Sequence, residues 1–280
     1  MNIIVGDKSG FCAGVSFTIK KASELLEQYG SLYCLGEIVH NERVVKSLED
    51  KGMITVNSID EIPDGSRVIF RAHGEAKKVY DRAKEKDLEV FDLTCGKVKL
   101  IHTKIEKNKD SFVLIVGKAT HPETIGHYGY IDKGFIIETI EDVDKSFEEF
   151  VKSGKKKVYV VAQTTFNDNK FDKIVNEIDK KYKKIEVIEK TICSATRERQ
   201  DEVIQLSKKV DIMIIVGGKN SSNTKELYNL ASNNCNNTLL VQDANDLDGV
   251  FFGEDDTVGI MAGASTPNEI IDEIISLIKG

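Results

Sequence analysis

Three stretches of this chain open on the same plan, and that repetition limits the fold more than any other feature of the sequence. Each is a short apolar run ending in glycine, with polar residues just beyond. They are Cys34-Leu35-Gly36 followed by His40-Asn41, Ile115-Val116-Gly117 followed by His121-Pro122, and Ile215-Val216-Gly217 followed by Ser221-Ser222. After a helical stretch each is answered by a second apolar run with a small-residue or polar end. These are Ile69-Phe70-Arg71-Ala72-His73-Gly74, Val160-Val161-Ala162-Gln163-Thr164-Thr165 and Ile260-Met261-Ala262-Gly263-Ala264-Ser265. One βα-type unit is therefore written three times. Apolar runs alternating with amphipathic stretches predict parallel strands joined by crossover helices, an α/β fold. Ligands of such sheets bind beyond the carboxyl ends of the strands. That rule gathers His40, His73, His121, Thr164, Ser221, Ser222 and Ser265 into one candidate site.

The pattern predicts strands at 2–5, 68–70, 90–91, 112–116, 158–161, 185–188, 212–216, 239–241 and 258–261. Consecutive apolar residues in several of them are expected where helices cover both faces. Helices are expected over 16–28, 41–51, 75–86, 96–108, 167–182, 195–209, 224–232 and 268–278, the first two closed by Gly30 and Gly52. No low-complexity linker occurs, so boundaries come from the repeat. A first α/β lobe spans 1–95 and carries the N-terminal Cys12 segment. A second spans 96–191 and a third 192–280. Three similar lobes in a pseudo-threefold arrangement are the expected architecture.

Each lobe also carries a cysteine where a helix opens: Gly10-Phe11-Cys12-Ala13-Gly14, Thr94-Cys95, and Thr191-Ile192-Cys193. A helix N-terminus offers unpaired N–H groups and partial positive charge. Both favour the thiolate, the form that ligates metal. Three protein ligands leave an open coordination position. An all-thiolate set favours an iron–sulfur cluster, with zinc as the rival. Small buried hydrophobes are the plainer reading of all three thiols. The repeat register weighs against it, because chance burial need not recur at one point of each lobe. Cys34, inside a strand, and Cys235, in an asparagine-rich stretch, are expected to be buried thiols only.

His40, His73 and His121 with Ser221, Ser222, Asn223, Thr164 and Ser265 form a set of hydrogen-bond donors. Helix starts near Asn41, Pro122 and Ser222 add backbone N–H groups, and such a set suits a phosphate or diphosphate. Ser221-Ser222-Asn223 also reads as a plain helix cap. No Walker motif or Gly-x-Gly-x-x-Gly turn opens a helix, which disfavours a nucleotide. Glu123 stands at a helix start, where an acid meets the dipole favourably. In a donor-rich cavity it would instead be a proton source. The sequence leaves both readings open. His102 and His127 are expected on helix surfaces.

The net charge of −7 argues against general nucleic-acid binding. No apolar run approaches the ~20 residues of a membrane span. The N-terminus lacks a basic, then apolar, secretory leader. A cytoplasmic location is expected, with thiols kept reduced.

Nine segments resemble the 4-hydroxy-3-methylbut-2-enyl diphosphate reductase family, also called IspH or LytB. They are Gly10-Phe11-Cys12-Ala13-Gly14-Val15, Val39-His40-Asn41, Ala72-His73-Gly74, Thr94-Cys95, His121-Pro122-Glu123, Gln163-Thr164-Thr165, Thr191-Ile192-Cys193-Ser194-Ala195-Thr196, Ser221-Ser222-Asn223 and Ala262-Gly263-Ala264-Ser265. Each alone is weak, but nine in order are specific. The resemblance implies three lobes around a central [4Fe–4S] cluster held by Cys12, Cys95 and Cys193. It implies a diphosphate held by His40, His73, His121, Ser221, Ser222, Asn223 and Ser265. Thr164 would contact the hydroxyl end of the substrate, and Glu123 would lead proton delivery. The implied reaction removes an allylic hydroxyl with two electrons and two protons, releases water, and gives isopentenyl and dimethylallyl diphosphates. It is the last step of the methylerythritol phosphate route. A flavodoxin- or ferredoxin-type protein is the implied electron donor. One departure stands out: Gly96 follows the second cysteine where the family often has proline. The chain is also expected to lack the appended RNA-binding domain of some relatives.

Overall fold

The computed structural model describes residues 1–182 and 185–279. Gly280, the last residue of the expected third lobe, lies outside the described residues. In chain order the elements begin with β1 (Asn2–Val5), α1 (Ala13–Tyr29), β2 (Leu32–Leu35), α2 (Glu42–Glu49), β3 (Met53–Val56), β4 (Arg67–Phe70), α3 (Lys77–Glu85) and β5 (Glu89–Asp92). Next come α4 (Gly96–Lys107), β6 (Phe112–Val116), α5 (Pro122–Tyr128), β7 (Gly134–Ile137), α6 (Asp142–Ser153), β8 (Val158–Ala162), α7 (Asp168–Lys181) and β9 (Ile185–Ile188). The chain finishes with α8 (Ser194–Ser207), β10 (Ile212–Val216), α9 (Ser222–Ser232), β11 (Thr238–Val241), β12 (Thr257–Ala262) and α10 (Asn268–Lys279). Short 3-10 turns stand at Ile59–Glu61 and Ala244–Leu247.

Twelve described strands form three sheets of four, ordered β3-β2-β4-β5, β7-β6-β8-β9 and β11-β10-β12-β1. Every pairing is parallel. The two apolar runs of each repeat are the central neighbours: β2 beside β4, β6 beside β8, β10 beside β12. A strand leading toward a cysteine lies outside the second run in each sheet. The sequence grouped β1 with residues 1–95. It pairs instead with β12, Asn2 opposite Thr257 and Val5 opposite Ile260, and completes the sheet of the C-terminal strands. The physical reason is positional equivalence. β5 and β9 reach their sheets from the preceding helix, and the only strand that can take that place beside β12 comes from the start of the chain.

Compactness divides the chain into two units. One consists of Met1–Phe17, Val39–Leu48 and the residues from Ser194 onward, and holds the β11-β10-β12-β1 sheet. The other consists of Thr18–Ile38 and Glu49–Cys193, and holds the remaining two.

Continuous apolar runs become strands covered on both faces. All five residues of β6 and of β8 are buried. On one face of that sheet Leu114, Val116, Val158 and Val160 pack with Phe171, Ile174 and Ile178 of α7. On the other, Val113, Ile115, Tyr159 and Val161 meet Ile101 and Ile105 of α4. Burying a side chain of this size stabilises by about 1.5–3 kcal/mol, so each sheet carries its own core. Gly52, which follows α2, has φ +106°, and a Cβ there would stand 2.1 Å from the Gly30 carbonyl oxygen. Only glycine lets those two chain turns meet. The structure adds three elements that the sequence reading did not anticipate, β3, β7 and α6, and it recovers the others within a few residues. Among the described residues no helix is long and apolar enough to cross a membrane.

Candidate active site

The site is built from strand ends and helix starts. In each repeat the first strand leads into a helix whose cap is a side-chain acceptor. Asn41 Oδ1 accepts from Val44 N–H at 3.2 Å before α2. His121 Nδ1 accepts from Glu123 N–H at 3.2 Å before α5. Ser221 Oγ accepts from Thr224 N–H at 3.2 Å before α9. Each bond satisfies one of the donors that a helix start leaves unpaired.

In the unit that holds β6 and β8, these caps place Glu123 on the first turn of α5 with only 2% of its surface exposed. Thr164, at the end of β8, faces it. Thr164 N–H donates to Oε1 at 2.6 Å, and the Thr164 hydroxyl donates to Oε2 at 2.7 Å. His127, one turn along α5, lies with Nε2 3.2 Å from Oε1. Burial pushes the Glu123 carboxyl up. The hydrogen bond and charge of His127, the charge of His121 and the Thr164 amide together outweigh burial and hold it below the ordinary carboxylate value. The expected pairing of Glu123 with Thr164 is thus a direct two-point contact. His73, after β4, and His121 stand ring to ring, edge to face, with centroids 5.5 Å apart.

His102 and His127 correct the expectation of surface positions. They are 5% and 0% exposed and meet edge to face at 5.0 Å, and His102 also stacks on Tyr130 at 4.2 Å. The reason is that α4 and α5 pack against each other, so a polar position on each becomes interior. Burial, with the nearby His127 charge, pulls His102 down to about 3 from an ordinary 6.5.

Cys95 and Cys193 occupy matching places here. Cys95 N–H donates to the Ala72 carbonyl and Cys193 N–H to the Thr164 carbonyl, each at 3.0 Å. Each cysteine immediately precedes a helix, α4 and α8. Both thiols are partly exposed, whereas Cys34 is buried, with its thiol pushed up to about 12 by desolvation.

The other unit repeats the arrangement. Cys12 precedes α1, and its N–H donates to the Ala264 carbonyl at 3.1 Å. Val15 N–H, in the first turn of α1, points to Cys12 Sγ at 3.5 Å. Arg199 of α8, 5% exposed, holds the preceding loop by donating Nη2–H to the Gly10 carbonyl at 2.8 Å. The sequence reading missed Arg199. Its only signal was a charged residue three positions beyond the Thr196 of the Cys193 segment. Cys235 is buried in the core beside β10, as expected.

Ser222 opens α9, and Asn223 follows at 5% exposure, its Nδ2 without a hydrogen-bond partner among the described residues. Asn223 stands at the same helical position as Glu123. The Ser265 hydroxyl donates to the His40 carbonyl at 3.3 Å, which ties the end of β12 to the start of α2. Thr224 wedges between strand ends. A Cβ at Gly217 or Gly263 would come within 2.6 or 2.3 Å of Thr224 Oγ1.

Fold and site define an α/β enzyme that presents thiols, imidazoles, hydroxyls and one buried carboxylate at the carboxyl ends of parallel strands. Comparison with known proteins narrows this. The chain is 39% identical to a 4-hydroxy-3-methylbut-2-enyl diphosphate reductase of Clostridioides difficile, covering 100% of this chain and 99% of that one. It is 38% identical to that of Aquifex aeolicus, covering 100% and 96%. A solved structure of the E-1-hydroxy-2-methyl-but-2-enyl-4-diphosphate reductase from Plasmodium falciparum superposes with a TM-score of 0.91 at 30% identity, over 100% of this chain and 88% of that one. A second solved structure, described as the terminal enzyme of the non-mevalonate pathway, gives 0.70 at 37% identity over 100% and 99%. Residues 3–279 match the LytB protein family, and the chain belongs to it.

Proposed function

We infer that this chain catalyses the reaction for which its relatives are named, the reduction of 4-hydroxy-3-methylbut-2-enyl diphosphate. The allylic hydroxyl leaves as water, two electrons and two protons are consumed, and isopentenyl and dimethylallyl diphosphates result. This is the terminal step of the non-mevalonate route to isoprenoids.

The observation that carries the chemistry is the equivalence of three cysteines. Cys12, Cys95 and Cys193 each precede a helix, and each anchors its N–H to the carbonyl beyond its sheet's second apolar strand. A donor set of three partly exposed thiols at helix starts fits an iron–sulfur cluster. These residues would hold a [4Fe–4S] cluster, which when bound supplies electron transfer and Lewis acidity. A flavodoxin- or ferredoxin-type protein would deliver the electrons.

The chain's own groups do the rest. His40, His73, His121, Ser221, Ser222, Asn223 and Ser265 bind the diphosphate with imidazole, hydroxyl and amide donors and with the first turns of α5 and α9. Thr164 orients the leaving hydroxyl. Glu123 supplies a proton through the Thr164 hydroxyl, which it contacts at 2.7 Å. Hydroxide leaves poorly, so the proton must arrive as the C–O bond breaks. Binding energy from the distant diphosphate positions that bond.

The test is anaerobic purification, assay of iron and sulfide, and turnover with a chemical reductant. Iron and sulfide in the ratio of the cluster, with substrate-dependent oxidation of the reductant, are expected. A colourless protein that stays iron-free after reconstitution, or that takes zinc alone, overturns the reading.

A further inference from the structure

The three cysteines do not reach their places in the same way. Two residues, 93–94, lie between the end of β5 and Cys95, and four, 189–192, lie between the end of β9 and Cys193. Six residues, 6–11, lie between the end of β1 and Cys12. A longer tether leaves the thiol more conformations to lose, so more must hold it. Here it is held from two sides. On one side β12 and its continuation take the main chain. Gly6 N–H donates to the Ile260 carbonyl at 2.9 Å, Cys12 N–H donates to the Ala264 carbonyl at 3.1 Å, and Ser9 Oγ accepts the Ala262 N–H at 3.1 Å. On the other side stands one turn of α8. The Glu202 carboxylate accepts Asp7 N–H at 2.6 Å and Lys8 N–H at 2.8 Å, one on each oxygen. Arg199, three residues earlier and buried, donates Nη2–H to the Gly10 carbonyl and Nη1–H to the Ala195 carbonyl of its own helix, each at 2.8 Å. Gly10 has φ +90°. Glycine enters that region without strain and is the residue with most freedom to lose, so its carbonyl needs an anchor to stay turned toward α8. Burying a guanidinium is costly unless its hydrogens are taken up. What the cation adds here is a fixed main chain two residues before the thiol.

We propose that Arg199 is a positioning residue for Cys12, and that with Glu202 it fixes the loop in the shape that presents this thiol. The proposal rests on the reading of Cys12 as a cluster ligand, but the order of the loop is measurable without iron. The other two tethers are fastened to their own sheets. Thr191 Oγ1 accepts the Ala162 N–H at 2.7 Å and donates to the Ala162 carbonyl at 2.6 Å. Thr94 N–H donates to Asp92 Oδ1 at 3.0 Å. Loss of the clamp is therefore specific to the Cys12 loop. Bonds in which one partner is ionised are the stronger ones, and all three bonds from this turn of α8 to the loop are of that kind.

The test is amide hydrogen exchange, read by mass spectrometry on the full chain before reconstitution, followed by iron retention after it. In Arg199→Gln the amides of residues 7–12 should exchange about 10-fold faster or more, while peptides over 89–95 and 187–193 keep wild-type rates. Reconstituted Arg199→Gln should lose iron to a chelator about 10- to 100-fold faster than wild type. Its KM should stay within about twofold, with turnover falling in proportion to iron content. Arg199→Lys, which keeps a charged donor, should lie between the two. Glu202→Gln leaves one acceptor for two amides and should speed exchange at residues 7–8, which supplies the measurement should Arg199→Gln fail to fold. Unchanged exchange at residues 7–12 in both Arg199→Gln and Glu202→Gln overturns the clamp. An equal rise in all three cysteine segments overturns it too, because that marks general loosening. Full iron in Cys12→Ser overturns the parent reading, and the role of Arg199 toward the cluster with it, whatever the exchange shows.

Discussion

Glu123 is an acid surrounded by groups that prefer its anion. Its value lies below the ordinary 4.5, so the charged form stabilises the fold above that pH, and this contribution is lost as pH falls through the lowered value. Glu123→Gln should reduce turnover by about 10²–10⁴ while cluster content holds, measured by steady-state kinetics beside iron assay. His102 works in the opposite charge sense. Its folded value of about 3 lies under the ordinary 6.5, so the neutral ring is the folded form. The unfolded chain takes up a proton as pH drops through 6.5 and the folded chain does not. Stability from this group is complete above 6.5 and declines between there and 3, at up to about 1.4 kcal/mol per pH unit. Denaturant midpoints for wild type and His102→Gln should therefore converge as pH falls from 7 to 4, and parallel curves would contradict the assignment. Such roles were hard to read in advance. Glu123 and Thr164 carried a signal because each sits at a strand-end position that recurs. His102 and His127 carried none, and Arg199 only its place just beyond the Cys193 segment, because their burial comes from neighbouring elements and not from their own local pattern.

Among the elements, the recurring unit was the readable part. Long apolar strands such as β6 and β10 announce themselves. β3 (Met-Ile-Thr-Val) and β7 (Gly-Phe-Ile-Ile) did not, since four residues with exposed or half-buried positions have little periodicity. α6 was missed although its acidic first turn and Gly154 at φ +71° are ordinary helix boundaries. The close approach of α9 to its strands makes a testable prediction. Gly263→Ala places a methyl against Thr224 Oγ1, a β-branched side chain with few alternative rotamers. A loss of about 1–3 kcal/mol is expected in thermal or denaturant unfolding, and Thr224→Ala should recover part of it. Additive effects of the two changes would show that the contact is not the cause.

On the scale of the whole molecule, three sheets share one strand order, and each offers a cysteine at one equivalent point. Equivalence of place predicts equivalence of effect. Cys12→Ser, Cys95→Ser and Cys193→Ser should each abolish stable iron loading. Cys34→Ser and Cys235→Ser should leave it intact and cost only the ~1–3 kcal/mol of placing a hydroxyl in a core. Iron assay after anaerobic reconstitution decides this, and retention of a full complement by any of the first three would break the set.

Because β1 lies beside β12, the first of the twelve described strands has its lateral partner in the last. At about 5–20 residues per second, Val5 waits tens of seconds for Ile260, while the sheets built on β2 and β6 already have every strand they need. The nascent chain must keep a short β-prone segment unpaired for that interval. The Gly6 N–H donates to the Ile260 carbonyl at 2.9 Å, so protection of that amide should be absent from stalled chains that end before residue 257 and appear once Ala262 has cleared the exit tunnel.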